Sequence, residues 1–150
     1  MNLEKLFGSK TKVDILKYLI FRRQGVSMRA LETEIWWTFP AIKKQVDSLN
    51  EAGVLGVEKE PTWWVITIYP PLLPLFKELF FEDLKQNLVT LFEKQQHQIV
   101  RYFWGDRFGK QIGMDLILIY EQLDKQQIDQ LKLEISEIFR QFWIESASIV

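Results

Sequence analysis

The sequence predicts an α+β fold in three parts: helices closed by a hairpin over residues 1–70, a connecting helix over 71–97, and a small α/β unit over 98–150. Three observations predict it. Apolar residues recur at helical spacing in five segments, the period gives way to that of strands after Gly53 and again after residue 98, and Gly, Pro, Ser, Thr or Asp stand near the changes. Composition permits such a fold, since 150 residues with 47% hydrophobic and 26% charged side chains can enclose a core.

Residues 9–21, SKTKVDILKYLIF, place Val13, Leu16, Leu19 and Ile20 on one helical face and Lys10, Lys12, Asp14 and Lys17 largely on the other, with Ser9 as the N-cap. Arg22 to Gly25 break this helix. Ser27 caps the next, SMRALETEIW, which turns Leu31 and Ile35 inward. Thr38 caps a third over 38–52, where Ile42, Val46 and Leu49 recur at i, i+4, i+7; Pro40 falls in the first turn, where a missing N–H costs little, and Gly53 supplies the stop. VLGVEKE and WWVITIY are rich in β-branched and aromatic residues, and with Pro61 and Thr62 as the turn between them they predict a hairpin.

A helical period returns after Tyr69, its start fixed by Pro70, Pro71 and Pro74. Leu72, Phe76, Phe80, Leu84, Leu88 and Leu91 form an apolar stripe that must be covered, either as the dimerisation face of a homodimer or as a seam between the two halves of one chain. IVRYFW, a Gly-containing loop and MDLILIY then read as two strands, and the unbroken apolar run of the second predicts burial on both faces. Asp124 caps a helix over 125–143 with Ile128, Leu131, Ile135, Ile138, Phe139 and Phe142 inward, and IESASIV is a last strand.

Several chemistries are ruled out by composition. Without cysteine there is no disulfide scaffold, zinc finger or Cys nucleophile, and with one histidine there is no multi-His metal site, so no metal or cofactor is expected. His97, among glutamines at a helix end, reads as a surface residue, and FGSKT lacks the spacing of a phosphate loop. The opening MNLEKLFGSK has no apolar signal core, and no apolar run approaches the ~20 residues that span a bilayer, so a soluble cytoplasmic protein is expected. The net charge of −1 hides a polarity: residues 1–80 hold 11 Lys and Arg against 9 Asp and Glu, a net of +2, and residues 81–150 hold 8 against 11, a net of −3.

Helix, helix, turn, helix and hairpin in about 70 residues is the outline of a winged helix-turn-helix. LFGSKTKVDILKYLI, followed by a helix pair and SLNEAGVLGVEKE, resembles the winged-helix transcriptional regulators of the arsenic-repressor-like class over roughly residues 3–80. The resemblance implies a homodimeric regulator that binds double-stranded DNA, with the helix over 38–52 in the major groove and the wing along the backbone. Phe39, Lys43, Lys44 and Asp47 would then lie near base edges, and Arg29, Thr38 and the wing's Lys59 at phosphates. Lys43 and Lys44 are equally at home on the solvated face of an amphipathic helix.

Two features depart from that class. Trp36 occupies a turn that favours a residue tolerant of positive φ, which predicts a longer or irregular turn. The wing is acid-flanked by Glu58 and Glu60, which suits a protein partner, so the alternative is a winged-helix interaction module without DNA binding. Of the tryptophan pairs, Trp37 and one of Trp63 or Trp64 are expected to pack inward, and Trp36 and the other hairpin Trp to face out.

WGDRFGKQIGMDLILIY resembles, more distantly, the minimal nucleotidyltransferase fold. Gly105 stands at the motif glycine, Asp106 replaces its serine, Arg107 to Gly109 stretch its loop, and Asp115 matches the second of two metal-holding aspartates. Gly113 stands at the first. With one carboxylate gone the metal bridge is lost, so a degenerate, non-catalytic domain is expected. Alternatively the three glycines only shape a hairpin loop, with Asp115 capping a strand end or pairing with Arg107.

Overall fold

Asn2 caps a five-residue helix, α1 (Leu3–Phe7), its Oδ1 accepting the Lys5 N–H at 2.9 Å, and Gly8 at φ 75° ends it. The computed structural model describes residues 1–59, 64–95, 99–104 and 116–143. It therefore begins one element earlier than periodicity predicts, because five residues are too few for a helical period to show.

The next three helices follow their caps. Ser9 Oγ accepts the Lys12 N–H at 3.3 Å at the start of α2 (Lys10–Phe21), and Ser27 Oγ accepts the Ala30 N–H at 3.1 Å at the start of α3 (Met28–Ile35). Thr38 holds the N-cap of α4 (Phe39–Glu51) but its side chain makes no cap bond. Pro40 has already removed one amide of that first turn, so less is left for the hydroxyl to satisfy. At the other end Gly53, at φ 78°, lets the Val54 N–H reach Leu49 O at 2.9 Å and its own N–H reach Asn50 O at 3.0 Å, which closes the last turn.

β1 (Leu55–Lys59) and β2 (Trp64–Ile68) pair antiparallel in the register Leu55 to Ile68 through Lys59 to Trp64. Val26 adds a single-residue bridge to Ile66 on the other edge, with bonds of 3.2 and 2.8 Å. Gln24 ties this small sheet to α2: its Oε1 accepts the Ile68 N–H at 2.9 Å and its Nε2 donates to Leu19 O. Leu16, Leu19, Leu31, Ile42, Val46, Leu55, Ile66 and Ile68 fill the core between the helices and the sheet. Tyr18 is buried among them, and burial, then the negative charge of Glu34, pushes its phenol pKa above the ordinary 10.0.

A 3-10 turn at Pro70–Leu72 leads into α5 (Leu73–Lys94). The chain divides into two compact units, Met1–Phe80 and Phe81–Val150, so the boundary falls inside α5, where the sequence reading gives 71–97 a segment of its own. In the first unit the rings of Phe76 and Phe80 lie 6.1 and 6.0 Å from that of Phe7. In the second, Leu84, Leu88 and Phe92 of α5 are buried, and the Phe92 ring lies tilted at 5.2 Å from that of Tyr102 in β3 (Ile99–Trp104), which pairs antiparallel with β4 (Leu116–Tyr120). α6 (Lys125–Arg140) starts at Asp124 with a reciprocal pair of bonds to Gln127 at 2.8 and 3.0 Å and buries Leu131, Ile135 and Phe139. Mixed helix and antiparallel hairpins make the chain α+β.

β4 corrects one expectation. Leu116 is buried, but Ile117, Ile119 and Tyr120 are exposed, so the strand is not covered on both faces. An apolar run states what a strand tolerates; the elements laid over it decide what is buried. The last predicted strand, 144–150, lies outside the described residues.

Candidate nucleic-acid interface

α4 separates its two faces cleanly. Ile42, Val46 and Leu49 point into the core, while Phe39, Lys43 and Asp47 follow one another at i, i+4 and i+8 on the outside. Thr38, Phe39, Lys43 and Lys44 are exposed, as are Arg29 at the start of α3 and Lys59 at the end of β1. Every predicted DNA-contacting position is thus on the surface except Asp47, which is half-buried.

The surface is organised by Trp64, whose role the sequence reading left open. Lys59 stands directly opposite Trp64 in the ladder with its Nζ 4.8 Å from the ring centre, and Lys43 of α4 reaches the same ring at 5.6 Å. A cation over an indole face is held by the ring quadrupole without losing its charge. The end of the hairpin and the outer face of α4 therefore share one aromatic support. The signal in the sequence was the register, because a turn centred between residues 61 and 62 sets Lys59 across from Trp64.

Two predicted base readers are engaged with each other. Lys43 Nζ lies 2.6 Å from Asp47 Oδ2, both half-exposed, and an exposed i, i+4 pair of this kind contributes only about 0.3 to 0.5 kcal/mol. Asp47 is therefore placed to orient Lys43, and it holds that side chain only weakly. Lys44 has no ion-pair partner among the described residues, which makes it the more available cation of the helix.

Of the longer or irregular turn that Trp36 predicts, the length is not found, since α3 ends at Ile35 and α4 begins at Phe39. Trp36 itself takes the left-handed conformation, at φ 62° and ψ 30°, with its side chain 92% exposed. That backbone costs a bulky residue about 1 kcal/mol or more. Its neighbours enforce it: Ile35 is buried on one side, and on the other Trp37 donates its indole N–H to Asp14 Oδ2 at 2.8 Å, fastening the turn to α2. Trp37 and Trp64 are half-buried, and Trp63 lies outside the described residues.

The α5 stripe is not an open dimerisation face. Phe80, Leu84 and Leu88 are fully buried and Leu91 is 8% exposed within one chain, leaving only Leu72 and Phe76 half-exposed. A helix joining two units spends its apolar positions on their cores first. The residues that resemble the nucleotidyltransferase motif, Gly105, Asp106, Arg107 to Gly109, Gly113 and Asp115, lie outside the described residues, as does His97. Among the described residues no helix is long and apolar enough to cross a membrane. No known family model matches the chain, and no curated protein sequence does.

Proposed function

We propose that the first unit is a winged helix-turn-helix that binds double-stranded DNA, with α4 in the major groove and the β1–β2 hairpin as the wing, and that the chain is a transcriptional regulator acting as a homodimer. The observation that carries this reading is the sharing of Trp64 by Lys43 of α4 and Lys59 of the hairpin. It brings the outer face of the helix and the end of the hairpin into one cation-bearing surface on an otherwise nearly neutral unit. Phe39, Lys43 and Lys44 stand where base edges would be read, and Arg29, Thr38 and Lys59 where phosphates would pass. A two-fold dimer would set two α4 helices about 34 Å apart along the duplex. Of the α5 stripe only Leu72 and Phe76 are left accessible to its contact, and the solution mass tests whether it forms. The second unit, with Gly113 where a first metal-holding carboxylate is needed, is read as non-catalytic.

Titration of labelled duplex DNA at about 50 and about 200 mM salt tests the reading. A surface that neutralises several phosphates should weaken more than tenfold over that range. Arg29→Ala with Lys59→Ala should flatten the salt dependence and weaken binding to all sequences alike. Absence of binding at low salt would sink it in favour of a protein-interaction module, the reading that the bare indole of Trp36 and the acidic Glu58 beside Lys59 favour.

A further inference from the structure

Trp36 is costly twice over. Its backbone sits at φ 62°, which glycine would adopt without strain, and its indole is 92% exposed, gaining nothing from the core. The left-handed backbone ends α3, a task glycine would perform without strain, and the turn is also held by buried Ile35 and by the Trp37 bond to Asp14, so the fold does not require an exposed indole at this position. Strain and exposure at one residue point to a ligand for that residue.

The surroundings narrow the ligand. Three residues on, Phe39 presents a second exposed ring, 39% accessible, at the first position of α4, and Lys43 follows it one turn later on the same face, with Lys44 beside it. Flat aromatic surface beside cations suits a base next to its phosphates, because stacking is offered by any base and charge by any backbone. In an uninterrupted duplex the base faces are already stacked on one another and closed to an indole.

We propose that Trp36 is a stacking platform for an unpaired base, so that the surface built by the α3 to α4 turn and the outer face of α4 takes duplex nucleic acid interrupted by a bulged or flipped nucleotide in preference to a continuous duplex. This inference rests on the nucleic-acid reading of the same face. α4 and the hairpin hold the flanking duplex, and Trp36 receives the base that has left the stack. A strained turn fixed at both neighbours keeps the indole presented, so little ordering is needed on binding.

The test is a comparison of three labelled probes against the full chain by fluorescence anisotropy: a 20-base-pair duplex, the same duplex with one bulged nucleotide, and one of its strands alone. The bulged duplex should bind at least about fivefold tighter than the continuous one, the lower end of what one base stacked on an aromatic ring supplies. Trp36→Gly, which removes both indole and strain and so keeps the fold, should bind the two duplexes equally, and Trp36→Phe should retain part of the preference. Equal binding of both duplexes by the unaltered chain overturns the inference while leaving the DNA-binding reading intact. Tightest binding of the single strand also overturns it, because a duplex clamp is then not involved, and failure to bind any probe overturns both readings.

Discussion

The two hairpins have similar sequences and opposite fates. WVITI of β2 is less apolar than LILIY of β4, yet Ile66 and Ile68 of β2 are buried beneath α2 and α3 while Ile117, Ile119 and Tyr120 of β4 stand in the open. β2 is paired on one edge by β1, bridged on the other by Val26, and stapled at its end by Gln24. Among the described residues the β3–β4 pair is packed through the Tyr102 and Trp104 side of β3, where the Phe92 ring lies 5.2 and 6.5 Å from theirs. Strand composition thus measures capacity for burial, and the helices laid across the strand determine how much of it is used.

The sharpest way to break this comparison is a pair of truncations. Ile66→Ala, at a site with no exposure, should destabilise the chain by roughly 2 to 5 kcal/mol, and Ile119→Ala, 46% exposed, by less than about 1 kcal/mol, measured as shifts in urea midpoint. Similar costs at the two sites would mean that β4 is covered in solution. Next comes the staple. Gln24→Ala leaves the Ile68 N–H and Leu19 carbonyl without their side-chain partner and should cost about 1 to 3 kcal/mol. Trp36→Gly runs the other way, raising stability by about 1 kcal/mol as the left-handed strain is relieved, which thermal melting reads directly.

The smallest effect is alkaline. Tyr18 has a folded pKa raised above 10.0, so the native state holds its proton more tightly than the unfolded chain does. The stabilisation is fully present below pH 10 and is lost as pH rises through the folded value. Tyr18→Phe should therefore lose less stability than the parent chain between neutral pH and pH values above 10, measured as the difference between their denaturation midpoints.

Many elements of both units were legible because their signals are local. Ser9, Ser27 and Asp124 cap the helices they were expected to cap, and Gly53 ends α4 by allowing a positive φ. Those bonds join residues three to five apart, so a short stretch of sequence contains both partners. Thr38 shows the limit, since it stands at the expected cap without making the bond. Of the candidate interface, the outward residues of α4 were readable from the spacing of its buried ones. Trp64 as a shared support and Asp47 as the partner of Lys43 were not, because each is a choice among side-chain rotamers that depends on neighbours in space.

Among the described residues, the order of the helices and strands after α1 and most of their caps and ends were determined by the sequence alone, through hydrogen bonds and periods that span a few residues. The tertiary structure decided which apolar faces are used: that Phe80, Leu84 and Leu88 are already covered within one chain, that Phe103, Ile117 and Ile119 are not, and that an indole at position 36 is held outward. Burial is a property of what lies opposite, and what lies opposite comes from chain far away in sequence, as Gln24 and Ile68 or Asp14 and Trp37 do here.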